Sequence, residues 1–509
     1  MNPVHLEPLW SALARAAEAL PARPLLSQGD RCIDAAGLLA AIERAAATLA
    51  AADVRVLALA MPDGPDWLAV DLACALAGVV SIPVPPFFSP RQIAHLLEAA
   101  AVDAIAGQIG SAGQLDSTGQ LGSTAGAADF RPAAMLLPGV ALARRALVPA
   151  AGIPPGTAKI TFTSGSTGTP KGVCLSLEQQ LRVAAGVAAA VGNGGIRHLC
   201  ALPLATLLEN VAGIYAPLLA GGSVEFAPTT AEGQPFGIAP ARLPATLEHC
   251  QPQSLILVPE LLRGLVAAAR AGWIPPRSLR FVAVGGGRVA PELIAAARAL
   301  GLPVYEGYGL SECGSVVSLN RPGADAPGSV GQPLRHVRVA TRDGELVVSG
   351  NTFLGYLNEP ASWHQTEVAT DDLGHIDERG FLHVDGRRDH LIVTTQGRNI
   401  APEWLEAELL ATGPLRHALV IGHDRPHCAA LLWPISAETP AAKLAEHLAH
   451  VNAGLPGYAR IRAWRRMREP LTADSGLITG NGRLRRTLVA ARFAECIDSL
   501  YSQPMEAVS

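Results

Sequence analysis

The sequence predicts an α/β protein in two parts: a large N-terminal α/β domain with a β-rich distal part, and a small C-terminal α+β domain. The first observation is the length of 509 residues, which exceeds what one hydrophobic core usually supports. The second is that Ala- and Leu-rich helical segments alternate with short β-branched runs through the first four hundred residues. Such alternation is typical of largely parallel strands covered by helices. The runs predicted as strands are 55–60, 79–84, Lys159–Thr163, 254–258 and 279–284.

The third observation is a change of pattern after about residue 337. Alternating runs at Glu345–Ser349 and 381–384, with a turn at 377–380, predict antiparallel hairpins. Beyond Gly386 the pattern predicts a helix, a strand, a second helix and a basic C-terminal stretch, at 403–411, 418–422, 441–451 and after 451. We therefore expect domains at residues 1–385 and 386–509. A Gly-rich repeat of period six at 107–124 is interpreted as a flexible surface insertion.

The composition excludes several classes of protein. Hydrophobic residues make up 49% and charged residues 17% of the chain, which argues against extensive disorder, and the net charge of −4 gives no basic field for nucleic acid or a membrane surface. The eight cysteines include no CxxC pair, so neither a zinc site nor a disulfide framework is indicated. The longest apolar stretch, 67–82, contains Asp71 and ends at a proline cluster, which favours a buried helix and a strand over a membrane span. The N-terminal residues lack the pattern of a secretory signal, so we expect a cytoplasmic protein.

The most specific motif is the hydroxyl-rich loop, residues 161–172, with the sequence TFTSGSTGTPKG. Its glycines let backbone N–H groups approach an anion, its six hydroxyl side chains add neutral donors, and Lys171 supplies a positive charge. The spacing is not that of a Walker loop, because no GK[ST] follows. The chain has only three lysines, so one retained in this motif is informative. Ser176 and Gln179, directly after the loop, have the spacing of a capping box and predict the next helix.

The loop resembles the signature of the adenylate-forming superfamily, which includes acyl-CoA synthetases, peptide-synthetase adenylation domains and firefly luciferase. The resemblance implies an N-terminal domain of several subdomains, a mobile C-terminal domain, and a loop that holds the β- and γ-phosphates of ATP. The residues that would bind phosphate are Thr163, Ser164, Gly165, Ser166, Thr167, Gly168 and Lys171.

Further segments resemble the same family in the same order along the chain. Gly285, Gly286 and Gly287 follow an apolar run, and the resemblance places adenine there. In the segment 305–312, YEGYGLSE, the resemblance implies that Tyr308 and Gly309 contact adenine, that Ser311 binds the α-phosphate and that Glu312 binds Mg²⁺.

The segments after residue 369 complete the resemblance. In 370–374, TDDLG, Asp371 replaces the usual glycine and Asp372 would bind the ribose hydroxyls, as would Arg387 in 386–392. Asp389 would be the hinge between the domains. The segment 393–403 closely resembles fatty acyl-CoA synthetases, in which the loop around Gly397 helps to form the thiol tunnel.

Two further positions depart from the family pattern. Arg483 stands where the family has a catalytic lysine that bridges the carboxylate and the α-phosphate. Arginine supplies the charge but has a different reach, so either adenylation is retained or the protein is a non-adenylating pseudoenzyme. In the acyl-pocket segment, Thr206 stands where acyl-CoA synthetases often have histidine. Leu207 and Val211 suggest an apolar acyl group, although packing in the core explains them equally well.

The resemblance implies an AMP-forming ligase that uses ATP and Mg²⁺ to activate a carboxylic acid, with an apolar or fatty acid favoured. The acyl group would pass to the thiol of CoA. The alternative acceptor is the phosphopantetheine thiol of an acyl carrier protein.

Overall fold

The computed structural model describes residues 7–109, 115–116, 129–146, 150–163, 170–192, 195–228, 237–396, 398–471, 475–479 and 484–502. Its α-helices are Glu7–Ala19, Ala35–Ala51, Pro65–Ala77, Pro90–Ala99, Leu177–Val191, Ala216–Leu219, Leu243–Cys250, Pro259–Arg270, Pro291–Ala299, Pro402–Ala411, Ala441–Gly454, Arg486–Arg492 and Ala494–Ser502. Short 3₁₀ turns occur at Ser311–Cys313, Pro360–Ser362 and Arg388–His390, and a π-helix at Glu209–Tyr215. No helix among the described residues is long and apolar enough to cross a bilayer.

The first of two large sheets carries the predicted adenine segments. In spatial order its strands are Gln332–Pro333, Ser318–Leu319, Val304–Tyr308, Phe281–Val284, Ser254–Leu257, Arg197–Cys200, Ser223–Phe226, Leu26–Gln28 and Arg31–Ile33. The six strands in the middle run parallel and the outer ones antiparallel. The parallel strands end at one edge of the sheet, which is where open α/β sheets bind ligands.

The second large sheet carries the hydroxyl-rich loop. Its strands, in spatial order, are Gly355–Tyr356, Lys171–Leu175, Lys159–Thr163, Val80–Pro83, Val56–Leu59, Ala104–Ile109, Val140–Arg144 and Arg131–Leu137, and Leu115–Asp116 also pairs with Ala104–Ile109. The apolar stretch 67–82 forms the buried helix Pro65–Ala77 and the strand Val80–Pro83, as predicted. Helix Leu177–Val191 begins with the predicted capping box of Ser176 and Gln179.

The distal part is antiparallel, as the alternating pattern predicts. Its four-stranded sheet consists of Arg338–Arg342, Glu345–Ser349, Glu367–Ile376 and Leu382–Arg387. The following residues form the pair Ile392–Val393 and Asn399–Ile400 and a three-stranded sheet of Leu415–Ile421, Cys428–Pro434 and Ile461–Arg466. These later elements have a hydrophobic core of their own, around Leu405, Leu409, Val420 and Leu432. The predicted fold class, a large α/β domain with a β-rich distal part and a small α+β domain, is thus confirmed; the boundary at residue 386 stays a prediction.

The repeat at 107–124 lies mostly outside the described residues. Its first residues continue the strand Ala104–Ile109, and Leu115–Asp116 pairs with that strand. Residues 110–114 and 117–128 are not described.

Candidate active site

The hydroxyl-rich loop connects two antiparallel strands, Lys159–Thr163 and Lys171–Leu175. Their register sets Thr163 opposite Lys171, so the two predicted phosphate ligands at the ends of the loop face each other. Gly172 follows Lys171, and a Cβ there would lie 3.0 Å from both Ile160 Cγ2 and Leu357 Cβ, so only glycine fits without displacing a neighbour. Ser164, Gly165, Ser166, Thr167 and Gly168, the other predicted phosphate ligands, lie outside the described residues.

Lys171 is connected to Glu312 through Tyr356, a residue that the sequence did not single out. Lys171 Nζ lies 4.9 Å from the centre of the Tyr356 ring, and the Tyr356 hydroxyl donates a hydrogen bond of 2.9 Å to Glu312 Oε1. Lys171 Nζ also lies 3.4 Å from Glu359 Oε1, with both side chains about half exposed at 48%. An exposed pair of this kind contributes roughly 0–1 kcal/mol, so an incoming phosphate can take the place of Glu359 at little cost. Burial and the Glu312 carboxylate raise the pKa of Tyr356, which keeps it a hydrogen-bond donor.

Tyr308, Asp372 and Arg387 form a second cluster. The Tyr308 hydroxyl donates to Asp372 Oδ2 at 2.6 Å, and Arg387 Nε donates to Asp372 Oδ1 at 3.1 Å. Burial raises the pKa of Asp372, whereas the hydrogen bond from Tyr308 and the nearby charge of Arg387 act to lower it. A carboxylate has about four lone-pair sites, so Asp372 can accept bonds from two further hydroxyl groups. Asp371 has a φ of +57°, so it adopts the left-handed conformation that favours the family's glycine.

Gly285, Gly286 and Gly287 turn away from the edge of the first sheet. Gly285 donates its N–H to Leu257 O at 3.1 Å, and a Cβ on Gly285 would lie 3.0 Å from Gly307 O. Gly286 has a φ of +76°, a conformation that glycine adopts without strain. The absence of side chains here leaves the backbone open to a flat ligand.

Arg288 and Gly309 fix the surroundings of this turn. Arg288 Nη1 donates to Val384 O at 2.8 Å and to Asp385 O at 2.9 Å, so it ties the turn to the strand that leads to Arg387. A Cβ on Gly309 would lie 1.5 Å from Ser315 O, so packing alone requires glycine at this position. The predicted adenine contact of Gly309 is therefore not the only reason for that glycine.

One cavity of about 250 Å³ joins the predicted nucleotide residues to the predicted acyl pocket. Its lining includes Gly285, Gly286, Tyr308, Gly309 and Ser311 together with Thr206 and Leu207. Val211 does not belong to this lining: it is fully buried in the hydrophobic core, so the structure does not place it at the pocket. Gly287 also lies outside this lining, and it is exposed to solvent.

The cavity lies between the first sheet and a helical wall. Two neighbouring strands contribute to its lining, with Ser254, Leu255 and Ile256 on one and Phe281, Ala283 and Val284 on the other. The wall opposite contains the π-helix Glu209–Tyr215, a rare element that is frequent at functional sites.

A buried ion pair attaches the π-helix to the strand before the loop. Lys159 Nζ lies 2.9 Å from Asp71 Oδ2 and 3.2 Å from the Tyr215 hydroxyl, with both charged side chains at most 4% exposed. Asn210 Oδ1 accepts a further bond from Lys159, and the Ser81 hydroxyl donates to Asp71 Oδ1 at 2.8 Å. The pair is therefore fully hydrogen-bonded, as a buried charge must be.

Asp389, the predicted hinge, is exposed in the 3₁₀ turn Arg388–His390, directly after the four-stranded sheet. His390 and Glu403 form a hydrogen-bonded pair immediately beyond it. Gly397 and Arg483 lie outside the described residues. In the described part of the chain, no three His, Cys, Asp or Glu side chains are grouped to hold a metal ion, and Glu312 is the candidate ligand that the sequence predicts. A single carboxylate suits Mg²⁺ that arrives with a polyphosphate, since Mg²⁺ keeps waters and phosphate oxygens as its other ligands.

Comparison with known proteins gives consistent matches over most of the chain. The family described as AMP-binding enzyme matches residues 13–357, and its C-terminal domain matches residues 389–505. The long-chain-fatty-acid–CoA ligase FadD15 of Mycobacterium bovis is 29% identical over 425 residues, covering 68% of this chain and 69% of the relative. The 2-succinylbenzoate–CoA ligase of Bacillus velezensis is 32% identical over 288 residues, covering 53% of this chain and 56% of the relative.

A solved structure matches the chain over nearly its full length. The anthranilate CoA ligase AuaEII in complex with anthranoyl-AMP has a TM-score of 0.77 at 17% identity, and the match covers 96% of this chain and 98% of that one. At this identity the match shows a shared fold.

Proposed function

This chain belongs to the AMP-binding enzyme family, and from that membership we propose that it joins a compact, largely apolar carboxylic acid to the thiol of CoA through an acyl-adenylate. It is an AMP-forming acid–thiol ligase, as are the relatives named as CoA ligases. The observation that carries the proposal is the single cavity that Tyr308 and Ser311 share with Thr206 and Leu207. Its volume of about 250 Å³ is small beside the roughly 300–1,000 Å³ of ordinary ligand sites, so a compact acid fits better than a long-chain fatty acid.

At the phosphate end, Lys171 exchanges its contact with Glu359 for the β- and γ-phosphates of ATP. Glu312, held by the Tyr356 hydroxyl, binds the Mg²⁺ that accompanies the phosphates. The loop residues Ser164, Gly165, Ser166, Thr167 and Gly168, together with Thr163, surround the same phosphates in this proposal.

At the nucleoside end, adenine lies against the backbone of Gly285–287 and the ring of Tyr308. The two oxygens of Asp372 accept hydrogen bonds from the ribose hydroxyls, and Arg387 keeps that carboxylate in place. Ser311 belongs to the cavity lining, and in this proposal it donates to the α-phosphate.

The chemistry follows from this placement. A carboxylate oxygen attacks the α-phosphorus in line, the bond to the β-phosphate oxygen breaks, and acyl-AMP and pyrophosphate form. Arg483 supplies positive charge to the pentavalent transition state in place of the family's lysine. A rotation at Asp389 of residues 386–509 against 1–385 then brings the loop around Gly397 to the adenylate, and the thiol displaces AMP.

The test is a pyrophosphate-release assay over a panel of aliphatic, aromatic and amino acids. We expect release only with an acid present, and its abolition in Lys171→Ala. Lys443→Ala is the matched control, because Lys443 is an exposed lysine on the helix Ala441–Gly454 and belongs to none of the predicted site segments. Unchanged turnover in Lys171→Ala would contradict the assignment. Free CoA and a holo acyl carrier protein, offered separately as acceptors, decide between the two thiols.

A further inference from the structure

A buried polar network lines the cavity on the strands of the first sheet. His198 Nδ1 lies 2.9 Å from Ser254 Oγ, and His198 Nε2 lies 3.0 Å from Glu209 Oε1. His198 is 3% exposed, Ser254 5% and Glu209 0%. His198 and Ser254 both belong to the cavity lining, which is otherwise mostly apolar along these strands. Burying a polar group without hydrogen-bond partners costs free energy, so polar side chains in an apolar wall suggest a specific role.

The register of the strands places this network far from the nucleotide end. His198 is opposite Ser254, Ser254 is opposite Phe281, and Leu257 is opposite Val284, the residue before Gly285. Ser254 therefore lies three residues before the end of its strand, which is about 10 Å at the rise of a β-strand. That distance corresponds to the length of a small ring with its substituents. An acid whose carboxylate faces the nucleotide would direct its far end at Ser254.

Glu209 fixes how the network is hydrogen-bonded. Its Oε2 accepts the N–H of Leu202 at 3.2 Å and its Oε1 faces His198 Nε2, so an ionised Glu209 accepts at both oxygens and requires a proton on His198 Nε2. If Nδ1 is unprotonated, it accepts the Ser254 hydroxyl proton and leaves the lone pairs of Ser254 Oγ free. If Nδ1 is protonated, it donates to Ser254 Oγ, and the serine proton is free. Among the described residues Ser254 Oγ has no second partner, so in both cases it has one hydrogen bond to offer to the cavity.

The network also holds the helical wall in place. A Cβ on Gly213 would lie 2.5 Å from Glu209 Oε1 and 2.8 Å from His198 Nε2, so the π-helix is packed directly over the His–Glu contact. Thr206, just before this helix, contributes a second hydroxyl to the lining, and its Oγ1 is buried without a partner among the described residues. Most of the cavity lining is thus apolar, but the hydroxyl groups of Ser254 and Thr206 can each form a further hydrogen bond.

We propose that Ser254, oriented by His198 and Glu209, forms a polar subsite that selects carboxylic acids with a hydroxyl, amino or carbonyl group at the end remote from the carboxylate. This inference rests on the proposed function, because that function sets the carboxylate toward the nucleotide. Ser254 contacts the substrate, while His198 and Glu209 are positioning residues. The substrate class is a compact acid, one ring or a short chain long, with a polar far end.

The experiment compares paired acids that differ only in that group. Benzoate is paired with 4-hydroxybenzoate and 4-aminobenzoate, and hexanoate with 6-hydroxyhexanoate, in acid-dependent pyrophosphate exchange. We expect kcat/KM for the polar member of at least one pair to exceed that of its apolar partner by about tenfold, the effect of one hydrogen bond in a dry site. In Ser254→Ala the ratio should fall to within about twofold, mainly through KM for the polar acid, with the apolar acid little affected.

Two further variants keep the test specific. Ser254→Thr retains a hydroxyl and should retain the preference, which separates hydrogen bonding from a general packing effect. Ser278→Ala removes a buried hydroxyl that lies outside the cavity lining and should leave every ratio unchanged. Exchange with apolar acids but no preference for any polar partner, or a preference that survives in Ser254→Ala, would overturn the subsite alone. No exchange with any acid would overturn the proposed function and the subsite with it.

Discussion

Tyr356→Phe tests the connection between the lysine of the loop and the proposed magnesium ligand. The change removes the hydroxyl that donates to Glu312 Oε1 at 2.9 Å and keeps the ring beneath Lys171. Groups that orient a metal-binding carboxylate typically contribute about 10- to 100-fold to metal affinity or activity. Tyr356 and Glu312 are only partly buried, so we expect the lower end, about a tenfold loss in kcat/KM for MgATP.

The assay is pyrophosphate exchange with a competent acid, at varied MgCl₂ and fixed ATP. Tyr356→Phe should need more Mg²⁺ to reach half its maximal rate. Tyr356→Leu should lose about a further two- to fivefold, because it also removes the ring that attracts the Lys171 ammonium. Tyr458→Phe, at an exposed tyrosine of the C-terminal part, is the matched control and should behave as wild type. A Tyr356→Phe enzyme within twofold of wild type at every Mg²⁺ concentration would refute the reasoning.

Substitutions at three other positions, Lys159, Glu306 and Asp371, test the scaffold around the site. Lys159→Met should lower the free energy of unfolding by about 3–5 kcal/mol in urea titrations, because it leaves the buried Asp71 carboxylate without its cation, and adding Asp71→Leu should recover most of the loss. Burial raises the pKa of Glu306 from 4.5 to about 8, so the folded state keeps a proton that the unfolded state has lost. Relative to Glu306→Gln, the unfolding free energy of the wild type should therefore fall between pH 5 and 8, by at most about 5 kcal/mol, and level off above pH 8. A difference between the two proteins that does not change with pH would contradict this. Asp371→Val should cost about 1–2 kcal/mol in thermal unfolding because of the φ of +57°, whereas Asp371→Gly should be neutral or stabilising; equal stabilities would exclude backbone strain at this position.

Much of the fold could be predicted from local pattern. The strand Lys159–Thr163 and the hairpin strand Glu345–Ser349 have the predicted bounds, because β-branched periodicity and flanking turn residues are local signals. Boundaries differ by a few residues elsewhere: the strand predicted at 418–422 is Leu415–Ile421, and the helix predicted at 441–451 extends to Gly454. The pairing of strands far apart in sequence, such as Lys171–Leu175 with Gly355–Tyr356, has no local signal.

The residues of the candidate site also divide into those that local motifs identify and those that only long-range packing brings together. Motifs located Tyr308, Asp372 and Arg387, and the structure joins them by hydrogen bonds. Tyr356 was missed because its contact with Glu312 depends on packing between segments 44 residues apart. For Val211, apolarity alone left a pocket wall and core packing as equal alternatives, and the structure places it in the core.

The polar network was missed for a related reason. A histidine, a serine and a glutamate at positions 198, 254 and 209 match no motif, and only the parallel pairing of two strands sets the first two side by side.

The most direct test of the account follows one oxygen atom. With an acid from the panel labelled with ¹⁸O in both carboxylate oxygens, complete conversion to the thioester should leave one ¹⁸O in each AMP, detected by mass spectrometry. The label must move because the carboxylate oxygen that attacks the α-phosphorus leaves with AMP when the thiol attacks the carbonyl carbon. Unlabelled AMP, or ADP and phosphate as the products, would contradict the acyl-adenylate on which the account depends.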